Sequence, residues 1–160
     1  MKTTTMETIL GIDPGTRFVG IAVLQGGRLR CYQVRSFHGP WSLRKLKAIV
    51  TSLEEIMERY DITHIGVKIP DTFPVAKGFN QLIGSFNVAW GSTAIKLCYY
   101  PYSEIKAHHS TDDKPDTAML MHAIVQKHPE LMTEYLKEQQ NEDAYYYKIF
   151  TAVAVAHISS

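Results

Sequence analysis

The sequence predicts an α/β protein built on a mixed five-stranded sheet with helices on its faces. Two observations lead to this prediction. Three strand-like runs open the chain with only short turns between them, which is typical of antiparallel neighbours. Two further short apolar runs are then separated by single segments of helical period. Strands joined by one helix form parallel, right-handed crossovers, so the later strands are expected to lie parallel.

The first three strands follow from apolar patterning and turn residues. The apolar run Thr8–Asp13 ends at a Pro-Gly turn and predicts a buried strand, and Phe18–Gln25 predicts a second one. Gly26 and Gly27 then form a hairpin turn. Residues 28–37 alternate well enough for a third strand, rich in arginine, and arginines on an edge strand would oppose pairing with another sheet.

The hydrophobic period changes after the third strand. Apolar residues recur at helical spacing from Leu43 to Met57 and predict a helix with Ser42 as its cap and Asp61 at its end. The remaining predicted elements are a strand over 62–69 stopped by Pro70, a helix over 75–94, a strand over 97–102, a helix over 114–127, a short helix or irregular segment over 129–140, and a last helix over 141–158 capped by Asn141.

Composition limits the class of protein. The 160 residues are 45% hydrophobic and 21% charged, and they are expected to form one domain, residues 1–160. The net charge of +1 excludes a bulk polycation, so a DNA partner would have to meet a local patch. Cys31 and Cys98 fit no metal spacing and are expected to be reduced. No apolar run reaches transmembrane length, so we expect a cytoplasmic protein without membrane association.

Asp13 is the first candidate functional residue. It stands at the end of a buried apolar run, where an unpaired carboxylate is costly. One interpretation is structural, since Asp-Pro and Pro-Gly pairs begin turns. The others are functional: a bound metal ion or a turn that handles phosphate. The residue types alone leave these interpretations open.

Several segments resemble the RuvC family of Holliday-junction resolvases. Gly-Ile-Asp-Pro-Gly-Thr at 11–16, followed by Gly-Ile-Ala-Val at 20–23, resembles the first hairpin of that family. The segments 102–106 and 111–114 resemble the stretches after its fifth strand, and the alanine-rich 152–157 resembles its last helix. The resemblance covers nearly the whole chain and implies the ribonuclease H-like fold.

The resemblance also implies a chemistry. Such enzymes are implied to cut branched DNA as homodimers, with two Mg²⁺ or Mn²⁺ ions and no small-molecule cofactor. The family holds these metals with one Asp on the first strand, one Glu at the end of the fourth strand and an Asp-x-x-Asp pair on the last helix. Carboxylates suit this task because Mg²⁺ prefers hard oxygen ligands.

Asp13 matches the first of these carboxylates, but Lys68 stands where the Glu is expected. A ligand is lost there and a cation takes its place. We expect Lys68 to pair with Asp13 and to substitute for the charge of the missing metal. Asp71 compensates for the lost Glu only if the chain bends back after Pro70.

The last helix departs from the family pattern as well. Aligning the alanine-rich ends places Tyr146 and Ile149 at the two Asp positions, whereas Glu142 and Asp143 lie about one helical turn earlier. A shift of the helix would bring Asp143 to the metal beside Asp13, with Glu142 as a further catalytic candidate. The alternative is that both acids merely favour the helix N-terminus.

Basic residues near the site are candidates for DNA contact. Lys106 and Lys114 match the basic positions that flank the family's site, where phosphate contacts position a strand without reading its sequence. His108 and His109 would add charge below neutral pH. The alternative is a solvated loop, since acidic residues dilute this patch.

Aromatic residues follow the fourth strand. Phe73 is a candidate wedge between bases of a junction, because apolar side chains are used to unstack bases. Phe79 and Phe86 lie at helical spacing and are expected in the core.

These features predict a RuvC-like protein of DNA recombination or repair that binds branched DNA with a degraded metal-dependent nuclease site. The first alternative is an active Mg²⁺-dependent junction endonuclease that uses Asp13 with Asp71, Glu142 or Asp143. A second is an actin-like nucleotide-binding module, whose phosphate loop resembles Asp-x-Gly-Thr. The chain is too short for the second domain that such modules close on a nucleotide.

Overall fold

A mixed sheet lies at the centre of the computed structural model, which describes residues 6–72, 75–140 and 146–160. In these ranges five strands lie in the order β3-β2-β1-β4-β5. They are β1 (Thr8–Asp13), β2 (Phe18–Gln25), β3 (Arg28–Ser36), β4 (His64–Ile69) and β5 (Lys96–Pro101). The first three are antiparallel, and β4 and β5 join them in parallel. The predicted fold class is confirmed, with the arginine-rich β3 at an edge.

Helices cover both faces of the sheet. Within the described ranges they are α1 (Leu43–Tyr60), α2 (Lys77–Trp90), α3 (Tyr102–His108), α4 (Thr117–Lys127), α5 (Met132–Gln140) and α6 (Tyr147–Ile158). Ser42 caps α1 as predicted, because its side chain accepts a hydrogen bond from the Lys45 amide. Among the described residues, none of these helices has the length and apolarity needed to cross a bilayer.

The helices differ from the prediction in three places, and the first is that α2 (Lys77–Trp90) is shorter than the predicted helix 75–94. Helix α4 begins at Thr117 rather than at 114, because the Asp116 side chain caps it by accepting a 2.8 Å hydrogen bond from the Met119 amide. Helix α3 is missing from the predicted elements, since its seven residues follow β5 directly and are too few to show a helical period. The predicted cap Asn141 lies outside the described residues.

Helix α6 is the most buried helix in the described structure. Every residue from Ile149 to Ala156 is buried, because the helix lies between the sheet on one side and α4 on the other. A helix that is apolar all round is expected in such a position. The opposite face of the sheet packs on α1 and α2, where Leu53, Phe86 and Trp90 are fully or almost fully buried.

Three glycines let α6 approach the sheet closely. Gly11 of β1 and Gly20 of β2 lie directly under the carbonyl oxygens of Ala152 and Lys148, so a side chain at either glycine would collide with the helix backbone. Gly66 of β4 lies under the Ser159 hydroxyl group and the Val155 carbonyl oxygen. This contact fixes the height of α6 above the sheet and brings Lys148 to the end of β1.

Adding one methyl group at Gly11 is expected to be strongly destabilising. In Gly11→Ala, the Cβ would overlap the Ala152 carbonyl oxygen, which belongs to a buried helix with no room to retreat. We expect a loss of about 2–3 kcal/mol in the free energy of unfolding, as for other overpacked cores. Urea denaturation measures this loss.

The matched control is Gly84→Ala on α2. Gly84 is exposed, and a Cβ there meets nothing within 4 Å. This substitution is expected to stabilise the protein by up to about 1 kcal/mol through helix propensity. Equal losses for the two variants would contradict the close-approach argument.

A group of histidines lies where α6 meets α4. His157 of α6 and His128 after α4 share a hydrogen bond of 2.8 Å between their Nε2 atoms, and the His109 Nε2 lies 3.0 Å from the Ala154 carbonyl oxygen. Burial lowers the pKa of His157 to about 4, and His128 and Lys127 lower it further in the same direction. His157 is therefore neutral in the folded protein at neutral pH.

The low pKa of His157 predicts acid sensitivity. Because the unfolded chain binds this proton near pH 6.5 and the folded chain only near pH 4, stability is complete above pH 6.5 and falls between the two values. We expect a loss of up to about 2 kcal/mol from this group, after allowance for its partial exposure. Denaturation at pH 7 and pH 4.5 measures it, and His157→Gln is expected to show a smaller difference between the two pH values. An unchanged difference would contradict the assignment.

Candidate functional site

Asp13 ends β1 and faces the end of the neighbouring strand β4. The Lys68 Nζ lies 3.6 Å from the Asp13 Oδ2, so the expected pairing of these residues is present in the structure. The Asp13 side chain is 2% exposed and the Lys68 side chain is 17% exposed. Burial lowers the pKa of Lys68, and the Asp13 carboxylate opposes that change. The parallel register of β1 and β4, which pairs Ile12 with Val67, sets the two side chains next to each other.

A second lysine completes the ion cluster. Lys148 of α6 donates a hydrogen bond of 3.2 Å from its Nζ to the Asp13 Oδ1, and its side chain is 13% exposed. The carboxylate is therefore paired with two ammonium groups, one on each oxygen.

Lys148 was not among the predicted site residues. The alignment on the alanine-rich segment places Tyr146 and Ile149 at the family's Asp positions, and Lys148 lies between them. One signal in the sequence marks it, since Lys148 is the single charged residue in the apolar run 147–156. A lone charge in a run that is otherwise buried must meet a counter-charge.

Two tyrosines surround the lysines. The Lys68 Nζ lies 4.3 Å from the centre of the Tyr102 ring and 5.6 Å from that of Tyr147. The Lys148 Nζ lies 5.9 Å from the Tyr147 ring. Burial, together with Asp13, raises the pKa of Tyr147 to about 12, so this phenol stays protonated. Cation–π interactions with the two tyrosine rings thus stabilise both ammonium groups at this position.

The ion cluster forms part of the wall of an open cleft of about 360 Å³. Asp71 also lines this cleft, and its carboxylate binds α3 rather than Asp13 or Lys68. Its Oδ1 accepts a 2.9 Å hydrogen bond from the Ser103 amide in the first turn of α3. Hydrogen bonds from Ser103 hold the pKa of Asp71 below its ordinary value. The described lining comprises Asp13, Pro14, Lys68, Ile69, Pro70, Asp71, Phe79, Tyr102, Tyr147 and Lys148.

The predicted DNA-contacting lysines lie in different places. The Lys106 Nζ is 4.5 Å from the centre of the Tyr102 ring, which places Lys106 at the edge of the cleft. Lys114 is exposed on the loop before α4, where its amide binds the Asp112 carboxylate, and it is not part of the cleft wall.

The surroundings of His109 disfavour the positive charge that was predicted for it below neutral pH. Its ring is half-buried against α6 and lies within hydrogen-bond distance of the Ala154 carbonyl oxygen. Burial lowers the pKa of His109, so its ring resists protonation.

Other predicted residues have mixed outcomes. Phe86 is buried in the core as expected, whereas Phe79 is only half-buried and lines the cleft, because it lies in the first turn of α2 next to β4. Phe73, Glu142 and Asp143 lie outside the described residues, so their predicted roles stay predictions.

The described residues do not fit a pair of Mg²⁺ ions. A magnesium ion on Asp13 would lie about 2.1 Å from a carboxylate oxygen, and each oxygen already faces an ammonium group at 3.2 or 3.6 Å. Like charges at such distances repel strongly in a partly buried site. In the ranges that the structure describes, no group of three or more His, Cys, Asp or Glu side chains is arranged to hold a metal.

Comparison with known proteins adds sequence similarity to the geometry. The crossover junction endodeoxyribonuclease RuvC of Psychromonas ingrahamii is 32% identical over 111 residues, an alignment that covers 63% of this chain. The chain spans 62% of the length of that curated relative. No family model matches the sequence.

Solved structures share the fold. The Thermus thermophilus RuvC in complex with a Holliday junction substrate superposes with a TM-score of 0.71 at 15% identity, over 94% of this chain and 90% of that chain. The Fowlpox virus resolvase in complex with Holliday junction DNA gives a TM-score of 0.60 at 10% identity, over 94% of this chain and 95% of that chain. The chain is therefore similar in sequence to a RuvC over part of its length and shares the ribonuclease H-like fold of solved resolvases.

Proposed function

We propose that the protein binds branched DNA of the Holliday-junction type and that its nuclease centre has lost the metal-dependent chemistry. The observation that carries the proposal is the pairing of Asp13 with both Lys68 and Lys148. The P. ingrahamii relative is named for crossover-junction cleavage, and two structures of this fold were solved with junction DNA. These similarities support the substrate class, and the lysines argue against the metal step.

The chemistry of the cleft suits phosphate better than metal. Lys68, Lys148 and the rim residue Lys106 give three cations against the two carboxylates of the described lining, Asp13 and Asp71. A DNA phosphate in the cleft would meet ammonium groups that are already positioned and partly desolvated. Such contacts position a strand without reading its sequence.

The experiment compares a four-way junction with a duplex of equal length, with and without Mg²⁺ or Mn²⁺. We expect a gel shift that favours the junction at least tenfold and weakens steeply with salt, and no cleavage products on denaturing gels. Products that disappear in Asp13→Asn would instead establish the active alternative, in which Asp13 works with Asp71, Glu142 or Asp143. A wild-type protein that binds neither DNA would contradict the proposal.

Single substitutions locate the contact. Lys106→Ala at the cleft edge is expected to weaken junction binding and to reduce the salt dependence by about one phosphate contact. Lys114→Ala tests the exposed loop. Lys96→Ala is the matched control, because Lys96 is exposed at the first residue of β5, at the opposite end of the sheet from Asp13. Equal effects of Lys106→Ala and Lys96→Ala would contradict a contact at this cleft.

The resemblance also implies a homodimer, which we include in the proposal because a four-way junction offers two equivalent binding positions. Light scattering coupled to gel filtration measures the mass of the free protein and of its junction complex. Two chains per junction support the dimer, and one chain per junction contradicts it.

A further inference from the structure

A second cleft lies on the other side of the loop that follows Asp13. Pro14 lines the cleft described above, whereas Thr16 and Arg17, two and three residues later, line the second one. The second cleft consists of two adjoining hollows of about 370 Å³ each, which share Phe37, His38, Gly39 and Lys45. One short loop therefore separates the two clefts.

The described lining of the second cleft is cationic. Arg17, Arg44 and Lys45 contribute side chains to it, as does the exposed His38, and its lining includes no Asp or Glu among the described residues. Charge is segregated along α1, since the acidic residues Glu54, Glu55 and Glu58 all belong to its second half. A wall of one sign favours a ligand of the opposite sign.

Two aromatic side chains, Trp41 and Phe37, share this wall with the cations. Both are half-buried, so part of each ring is open to a ligand. The Trp41 Nε1 donates a 2.7 Å hydrogen bond to the Gln81 Oε1, and its indole packs on Gly78 of α2. A ring fixed in this way offers a preorganised surface, because its orientation needs no further ordering on binding.

The combination identifies the chemistry of the ligand. In single-stranded nucleic acid, phosphates alternate with flat bases. A groove of cations and aromatic rings binds such a strand, because the cations contact the phosphates and the rings stack on the bases. Duplex DNA hides its bases, so the aromatic rings favour an unpaired strand. Phe79, which lines the first cleft, follows Gly78, on which Trp41 packs. Both clefts therefore lie against the first turn of α2 as well as the loop after Asp13.

We propose that the second cleft binds an unpaired DNA strand that continues from the Asp13 cleft, with Arg17 and Arg44 on its phosphates and Trp41 stacked on a base. This inference rests on the proposed function, since it names the part of the branched substrate that reaches this surface. On this proposal, the protein prefers branched DNA because such DNA contains locally unpaired strands.

The test measures binding to a four-way junction and to an oligo-dT single strand. Arg17→Ala/Arg44→Ala is expected to weaken oligo-dT binding at least tenfold and to lower the salt dependence by about 1.4, the value for two lost single-strand phosphate contacts. Lys96→Ala/Lys137→Ala is the matched control with the same change of net charge on exposed positions outside both clefts. Melting curves for both double variants establish that they fold.

Tryptophan fluorescence gives an independent readout. The chain has two tryptophans, and Trp90 is buried in the core, so quenching by oligo-dT reports on Trp41. Trp41→Phe is expected to abolish the quenching while it keeps most of the affinity, because a phenyl ring still stacks.

The outcomes separate the two proposals. The strand-binding inference is overturned if Arg17→Ala/Arg44→Ala and its control bind oligo-dT equally well, or if oligo-dT does not quench Trp41. If the wild type still binds the junction in that case, the proposed function stands. A wild type that binds oligo-dT with quenching but shows no preference for the junction over duplex DNA supports the second cleft and overturns the proposed function.

Discussion

Asp13→Asn is expected to lower the free energy of unfolding by about 3 kcal/mol, which is the range for breaking a buried ion pair. The neutral amide leaves Lys68 and Lys148 close together without a counter-charge, at side-chain exposures of 17% and 13%. For a protein of this size the melting temperature should fall by about 6–12 °C. Urea denaturation in the presence of a chelator gives the free energy directly.

The sign of this effect discriminates between two kinds of site. In a cluster of several carboxylates without metal, like charges repel, and removal of one carboxylate relieves the repulsion. An Asp→Asn change is then neutral or stabilising in a chelator. Here the same change removes the one carboxylate that two cations share. A more stable Asp13→Asn protein would therefore disprove the ion cluster as the structure describes it.

Two further variants distinguish the loss of charge pairing from a nonspecific loss of stability. Asp13→Asn/Lys68→Met/Lys148→Met removes all three charges and is expected to recover most of the lost stability, because an apolar replacement of a buried ion cluster is often neutral. Asp71→Asn is the control for a carboxylate in the same cleft, and its side chain is exposed. It is expected to cost less than about 1 kcal/mol.

The features that could be predicted from the sequence are those that neighbouring residues along the chain determine. The bounds of β1 and β2 match the prediction, since apolar runs and turn residues mark both ends. The Lys68–Asp13 pair was also predictable, because adjacent parallel strands end at the same edge. Helix α3 left no periodic signal in seven residues.

Lys148 required information that no local pattern carries. Its place depends on the height and rotation of α6, which Gly11 and Gly20 set through contacts more than a hundred residues away in the chain. A shift of one residue along the helix rotates a side chain by about 100°. Alignment on the alanine-rich end names Tyr146 and Ile149, whereas the residue of this helix that contacts Asp13 is Lys148. The one signal in the sequence is that Lys148 is the single charged residue of an apolar run, which indicates a buried counter-charge.

Lys68→Glu/Lys148→Asp is expected to create a divalent-metal site at Asp13, where the described residues of the wild type form none. Calorimetric titration of the wild type with Mn²⁺ should show no saturable, stoichiometric binding in the micromolar range. The double variant should bind at least ten times more tightly, because two cations are replaced by two carboxylates around Asp13. The reach is adequate, since Lys148 packs on Gly20, the cross-strand partner of Asp13, so the shorter Asp side chain starts close to the site.

The control Lys68→Gln/Lys148→Asn removes the same two positive charges without supplying carboxylates. If repulsion alone keeps metal away, this variant gains as much affinity as the acidic one; if ligation is needed, it gains little. We expect the acidic variant to bind more tightly, because hard divalent cations need charged oxygen ligands. Restored metal binding is not expected to restore cleavage, since two ions must be held about 4 Å apart across the scissile phosphate. Two tightly bound Mn²⁺ ions in the wild type would show instead that ligands outside the described residues overcome both lysines, and the cleft would then be an active centre.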